Sequence, residues 1–169
     1  MLVDQGLAVW DTLAIAEYLA ERFPQLALWP QGRSERATAR SLCAEMHAGF
    51  AALRSIFPMN IEASLPEVGE KALREEPGLA RDLERLDAMW SGALETSGGP
   101  FLFGTFGIVD AYYAPVCTRL RTYGVELPGG SRAYVQRMLE LPAQQEWDQA
   151  ARAEADFLQV DEPYRVARG

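Results

Sequence analysis

Asp11 and Thr12 sit where the short apolar run Leu7-Ala8-Val9-Trp10 meets an amphipathic helix. Free N–H groups and the partial positive charge of a helix N-terminus bind a carboxylate. The Thr12 hydroxyl can add a donor, and the Asp11 carboxylate can hold an ammonium. The same two residue types also cap helices by accepting the first N–H groups. Residue type alone admits both readings. Arg40, His47 and Arg54 recur one heptad apart, with Ala44 and Ala51 leaving the strip between them shallow. On one long helix they project from nearly one face, which is either a solvated face or a polar lining. Cys43 and Cys117 lie far apart, neither in a C-x-x-C, and His47 is the single histidine. These counts argue against a His-rich metal site and a Ser–His–Asp triad, and leave the cysteines as apolar filler.

The elements that must carry these residues are read from periodicity. Asp4-Gln5-Gly6 punctuates two short apolar pieces within residues 1–10, so strand, turn, strand is expected. Ile15, Leu19 and Phe23 recur at i, i+4, i+8 and predict a helix ending before Pro24. A Pro- and Gly-containing linker with a Leu-Trp anchor follows. Leu42, Met46, Phe50, Leu53 and Phe57 predict one long helix, roughly 33 to 57, stopped by Pro58. Leu79, Leu83, Leu86, Trp90 and Leu94 predict a second, closed by Gly98-Gly99-Pro100. A third is expected over 108–123 with a kink at Pro115. Two shorter ones follow at 131–140 and 142–156, split by Pro142, and residues 160–169 read as an aperiodic tail across the surface. The expectation is a hairpin and helix followed by a bundle of about five helices. A lone two-stranded hairpin is marginal in water, so the opening segment reads as part of something larger.

Composition bounds the function. The 169 residues carry a net charge of −8 with one lysine, Lys71, which argues against a nucleic-acid partner. No apolar run approaches the roughly 18 residues of a membrane span, and no basic-then-apolar leader opens the chain, so the expected address is cytoplasmic and no membrane partner is expected.

Three stretches together resemble the cytosolic glutathione S-transferases, bacterial members in particular. GLAVWDTLAIAEYLAERFP resembles the last strand and helix of that family's thioredoxin-like first domain. LWPQGRSERATARSLCAEMHAGFAALR resembles the linker and first helix of its all-α second domain, and FLFGTFGIVDAYYAPVCTRLRTYGV that domain's core helix. The resemblance implies a mainly α fold: an all-α C-terminal bundle preceded by a β-hairpin and helix remnant of the thioredoxin-like domain. It divides the chain into 1–25 (remnant of the glutathione-binding domain), 26–34 (linker) and 35–169 (the all-α, substrate-binding domain).

It further implies glutathione as co-substrate with no metal, and Asp11 and Thr12 as holders of its γ-glutamyl end. The usual pair is Glu or Gln followed by Ser. His47, Arg54 and Asn60 become candidates for the pocket that takes an electrophilic small molecule between the domains. Gly107 to Asp110 resembles the family's Ser/Thr-x-x-Asp capping box, with Gly107 in place of the hydroxyl residue, a structural motif. The family's catalytic Tyr, Ser or Cys lies in a strand–helix–strand–helix portion that these residues do not match. The chain as given is therefore expected to be truncated and inactive, although an intact form would conjugate glutathione to electrophiles in detoxification. Tyr18, Tyr112, Tyr113 and Tyr123 are expected in the core rather than at the thiol. The family forms homodimers, and weak or heterogeneous self-association is expected here. The alternative is a non-catalytic transferase-like helical module for protein–protein interaction. A third reading is a defunct fragment.

Overall fold

The computed structural model describes residues 1–154, 158 and 162–164. Strands β1 (Leu2–Asp4) and β2 (Leu7–Val9) pair antiparallel with Leu2 opposite Val9. Gln5 (φ 47°) and Gly6 (φ 87°) both take positive φ, as a two-residue turn matching the strand twist requires. Helix α1 (Thr12–Arg22) buries Ala16 and packs Leu13 and Ala20 on the core. The Tyr18 hydroxyl donates to Asp4 Oδ2 at 2.7 Å and Arg22 lies 3.6 Å from the same oxygen, which fastens hairpin to helix.

A 3-10 turn (Pro24–Leu26) and the buried Trp29 lead to α2 (Arg33–Ala48). The Arg36 guanidinium donates to the Pro30 and Gln31 carbonyls at 3.1 and 3.0 Å, fixing the entry to α2. The long helix expected over 33–57 is broken. After α2 the chain passes through Gly49 and through Phe50 at φ 55°, then resumes as α3 (Ala51–Ile56). Two side chains support the break. Arg54 Nη2 donates to the carbonyls of Met46 and His47 at the end of α2. Asp82 Oδ2 accepts the Leu53 N–H at 2.9 Å in the first turn of α3. Both satisfy backbone groups that a helix end orphans. The apolar stripe survives the break: Leu42, Met46, Phe50, Leu53 and Phe57 are all buried.

Helix α4 (Pro66–Glu75) lies where no helix was expected. Gly69 faces the Tyr123 carbonyl so closely that a Cβ would stand 1.9 Å from its oxygen. Then come α5 (Pro77–Ser97), α6 (Ile108–Thr122), α7 (Gly129–Glu140) and α8 (Pro142–Glu154). The part after the linker thus holds seven α-helices among the described residues, not about five. Helix α6 runs through Pro115 as one element. The last two residues of the helix expected over 142–156 lie outside the described residues, as does most of the expected tail. Of that tail, Tyr164 packs edge-on to Tyr123 at 6.2 Å.

Around α6 the core is aromatic. Trp90 meets Tyr113 and Tyr134 edge-on at 5.4 and 5.0 Å, and Phe57 stacks on Tyr123 at 4.2 Å. Such pairs contribute about 0.5–1.5 kcal/mol beyond burial. The architecture is mainly α with one small hairpin at its start, as the resemblance implied.

Candidate functional site

The start of α1 is built by Asp11 itself. Asp11 takes φ 72°, ψ 137°, a conformation that L side chains rarely adopt, and one that costs of order 1–3 kcal/mol. From there its Oδ1 accepts the Leu13 N–H at 2.8 Å and the Ala14 N–H at 3.4 Å. Asp11 is thus a helix cap. Its second oxygen, Oδ2, is left over and faces His47 Nε2 across 3.7 Å. Thr12 follows with its side chain exposed. Because Asp11 occupies the next two N–H groups, an incoming carboxylate would meet the Thr12 end of the turn.

The strip of Arg40, His47 and Arg54 is not one surface. Arg40 pairs with Glu17 of α1 through two bonds of 2.6 and 2.8 Å and lies over the Trp29 ring. His47 faces Asp11. Arg54, beyond the break, is engaged with the α2 carbonyls. Asn60 is buried, its Oδ1 accepting the Ala63 N–H and its carbonyl accepting the Thr122 hydroxyl at 2.7 Å. The structure therefore gathers Asp11, Thr12 and His47, and sets Arg54 and Asn60 in backbone-supporting roles elsewhere.

Tyr112 completes the neighbourhood, and the sequence did not single it out for this. Its hydroxyl is buried and faces the Thr12 side chain, with no atom in hydrogen-bond geometry to it. Burial raises the phenol pKa, partly opposed by Thr12, and the negative charges of Asp11 and Glu17 add to the rise. Three further tyrosines also titrate high. Burial pushes Tyr113 up and Tyr123 up to about 12, and the bond to Asp4 raises Tyr18. None of these four has the lowered pKa of an activated phenol.

At the start of α6, Asp110 Oδ2 accepts the Gly107 N–H at 2.9 Å, and Oδ1 accepts the Leu102 N–H and the Tyr134 hydroxyl at 3.2 and 3.1 Å. Gly107 has no hydroxyl to return. A Cβ there would stand 3.0 Å from the Leu28 carbonyl oxygen, which accepts the Ile108 N–H at 3.1 Å. A groove of about 720 Å³ between α2 and α5, walled by Leu42, Met89, Ala93, Phe103 and the Glu45–Arg85 pair, includes none of the residues singled out for ligand binding. Among the described residues no three His, Cys, Asp or Glu side chains gather to hold a metal ion, and no helix is long and apolar enough to cross a membrane.

The sequence matches the family described as "Glutathione S-transferase, C-terminal domain" over residues 36–154. It is 28% identical over 143 residues to the stringent starvation protein A homolog of Pasteurella multocida (strain Pm70), covering 82% of this chain and 62% of that protein. The homolog of Haemophilus ducreyi (strain 35000HP / ATCC 700724) gives 27% with the same coverage. That of Coxiella burnetii (strain RSA 493 / Nine Mile phase I) gives 31% over 127 residues, 75% of this chain and 55% of the relative. The chain spans about three fifths of the length of the first two curated relatives. With a helical bundle of matching span and a buried aspartate capping its core helix, the chain belongs to the glutathione S-transferase family.

Proposed function

We propose that residues 35–169 are the electrophile-binding helical half of a glutathione-dependent protein, and that residues 1–25 belong to its thioredoxin-like half. Asp11 and Thr12 hold the γ-glutamyl end of glutathione in this reading. The observation that carries it is the strained Asp11 backbone. A carboxylate held at φ 72° caps α1 with one oxygen and turns the other toward His47 Nε2, with the exposed Thr12 next in the chain. Met1, Val3, Leu7 and Trp10 are exposed on the hairpin side, which fits strands that continue into a larger sheet. His47 is the pocket candidate best placed for this reading, since it borders the same carboxylate. The setting is cytoplasmic and metal-free, and the partners are glutathione and a small electrophile.

The 169 residues bind glutathione weakly and do not catalyse its conjugation. The nucleophile is the thiolate, and Tyr18, Tyr112, Tyr113, Tyr123 and Tyr134 are all held above the ordinary phenol range, so none of these five is poised to stabilise one. One charge-assisted contact contributes about 1.5–3 kcal/mol against an association cost of several kcal/mol. Binding is therefore millimolar or weaker. The test is a glutathione titration followed by NMR, with Thr12→Ala as control, beside a conjugation assay with a chromogenic electrophile. Chemical-shift changes centred on residues 11–14 that Thr12→Ala abolishes support the reading. Saturable conjugation by these residues alone would overturn it.

A second reading, a non-catalytic helical module for protein–protein contact, is favoured by the relatives, which are named for stringent starvation rather than for a transferase reaction. Weak or heterogeneous self-association belongs to the first reading. Light scattering showing one concentration-independent species with a defined protein partner would favour the second.

A further inference from the structure

Tyr112 and Tyr113 are neighbours on α6 with different fates. The Tyr113 hydroxyl donates to the Leu42 carbonyl at 3.0 Å. The Tyr112 hydroxyl is equally shut off from water, yet no atom stands in hydrogen-bond geometry to it. An unmatched buried hydroxyl costs about 1–3 kcal/mol, so its place needs a reason. What it faces is the side chain of Thr12, the first residue of α1. Thr12 is exposed, so the two hydroxyls span the boundary from the interior of the helical bundle to solvent.

The direction of a bond between the two hydroxyls matters. A threonine hydroxyl donates once. If Thr12 donated to Tyr112, its proton would point inward and be lost to any ligand. If the phenol donates, Thr12 Oγ1 accepts and the Thr12 proton turns outward. An anion outside selects the second arrangement, and donors in series polarise one another.

We propose that Tyr112 is the positioning residue of Thr12: its phenol O–H donates to Thr12 Oγ1, fixes the Thr12 side-chain torsion and turns the Thr12 O–H toward a ligand carboxylate. The part concerning the ligand rests on the reading of Asp11 and Thr12 as the γ-glutamyl holder. The bond itself does not.

The experiment uses the full chain and Tyr112→Phe, Thr12→Ala and the double variant, with glutathione as the probe. Three-bond couplings from the Thr12 methyl to its backbone nitrogen and carbonyl carbon report the torsion. One rotamer is expected in the wild type and averaged couplings in Tyr112→Phe, with backbone resonances away from α1 and α6 unchanged. Glutathione binding is expected to weaken about three- to tenfold in either single variant, with no further loss in the double variant. Unchanged Thr12 couplings in Tyr112→Phe overturn the proposal whatever happens to glutathione. Altered couplings support the contact. If Thr12→Ala then leaves glutathione binding as it was, the γ-glutamyl reading fails while the Tyr112–Thr12 contact stands.

Discussion

His47 Nε2 stands 3.7 Å from Asp11 Oδ2, while Asp11 Oδ1 closes the first turn of α1. One carboxylate thus caps a helix and leans on a neighbouring one from a backbone conformation suited to glycine. Replacing Asp11 separates these terms. Asp11→Ala loses the cap and keeps the strain, so it is expected to destabilise by about 0.5–2 kcal/mol. Asp11→Gly loses the cap and releases the strain, so it is expected to be more stable than Asp11→Ala by about 1 kcal/mol or more. Urea unfolding of the pair checks this, and an alanine variant as stable as the glycine one would contradict it.

Helix α3 has six residues, too few to persist alone. Its Leu53 N–H is accepted by Asp82 of α5. Asp82→Ala is expected to cost about 1–2 kcal/mol, and Asp82→Asn less, because the amide oxygen still accepts. Amide exchange at Leu53 should accelerate with the alanine change and not at Trp90. Uniform acceleration across both would show that α3 has no separate dependence on this bond.

Burial raises the Asp110 carboxyl above its ordinary 3.8, against the pull of the Gly107, Leu102 and Tyr134 donors. The sign follows from proton linkage. The native state holds this proton more tightly than the unfolded chain, so the contribution is fullest at low pH and declines as pH rises through the native pKa. The stability difference between wild type and Asp110→Asn is therefore expected to shift against wild type on going from acid toward neutral pH. Tyr134→Phe removes a donor, extends that decline to higher pH, and costs about 1.5–3 kcal/mol at pH 7. Denaturant melts across the acid range test both, and a pH-independent difference between wild type and Asp110→Asn would refute the argument.

Both cysteines are buried. Burial, with the charges of Asp110 and Glu17, pushes the Cys43 thiol up to about 12, and burial raises Cys117 as well. Reaction with a disulfide reagent near neutral pH is expected to be negligible in the native protein and to reach both thiols after unfolding. One thiol that reacts rapidly in the native state would disprove this.

Much of this fold could be read in the chain because periodicity reports which face is buried. Leu42, Met46, Phe50, Leu53 and Phe57 were expected inside and are inside. What periodicity does not report is the backbone between them. The break at Gly49-Phe50 is supported by Arg54 and by Asp82, and the latter arrives from another helix. Leu65, just before α4, and Val68 and Ala72 within it form a readable stripe. Pro66 and Gly69 disguise it, and Gly69 is explained only by the Tyr123 carbonyl against it. At the site, Asp11 and Thr12 were visible because helix starts have a chemistry of their own. Tyr112 was not, because its nearness to Thr12 arises only in the folded chain.

Glycine at 107 has a consequence for how this sequence can drift. With no side chain there, the Leu28 carbonyl approaches and takes the first N–H of α6, so the linker is pinned to the core helix. A serine at 107 would bring its Cβ to 3.0 Å from that oxygen. The hydroxyl typical of the capping box can return here only if the linker yields by a few tenths of an ångström. Positions 28 and 107 are therefore epistatic: the path of the linker decides which residues the core helix can accept at its start.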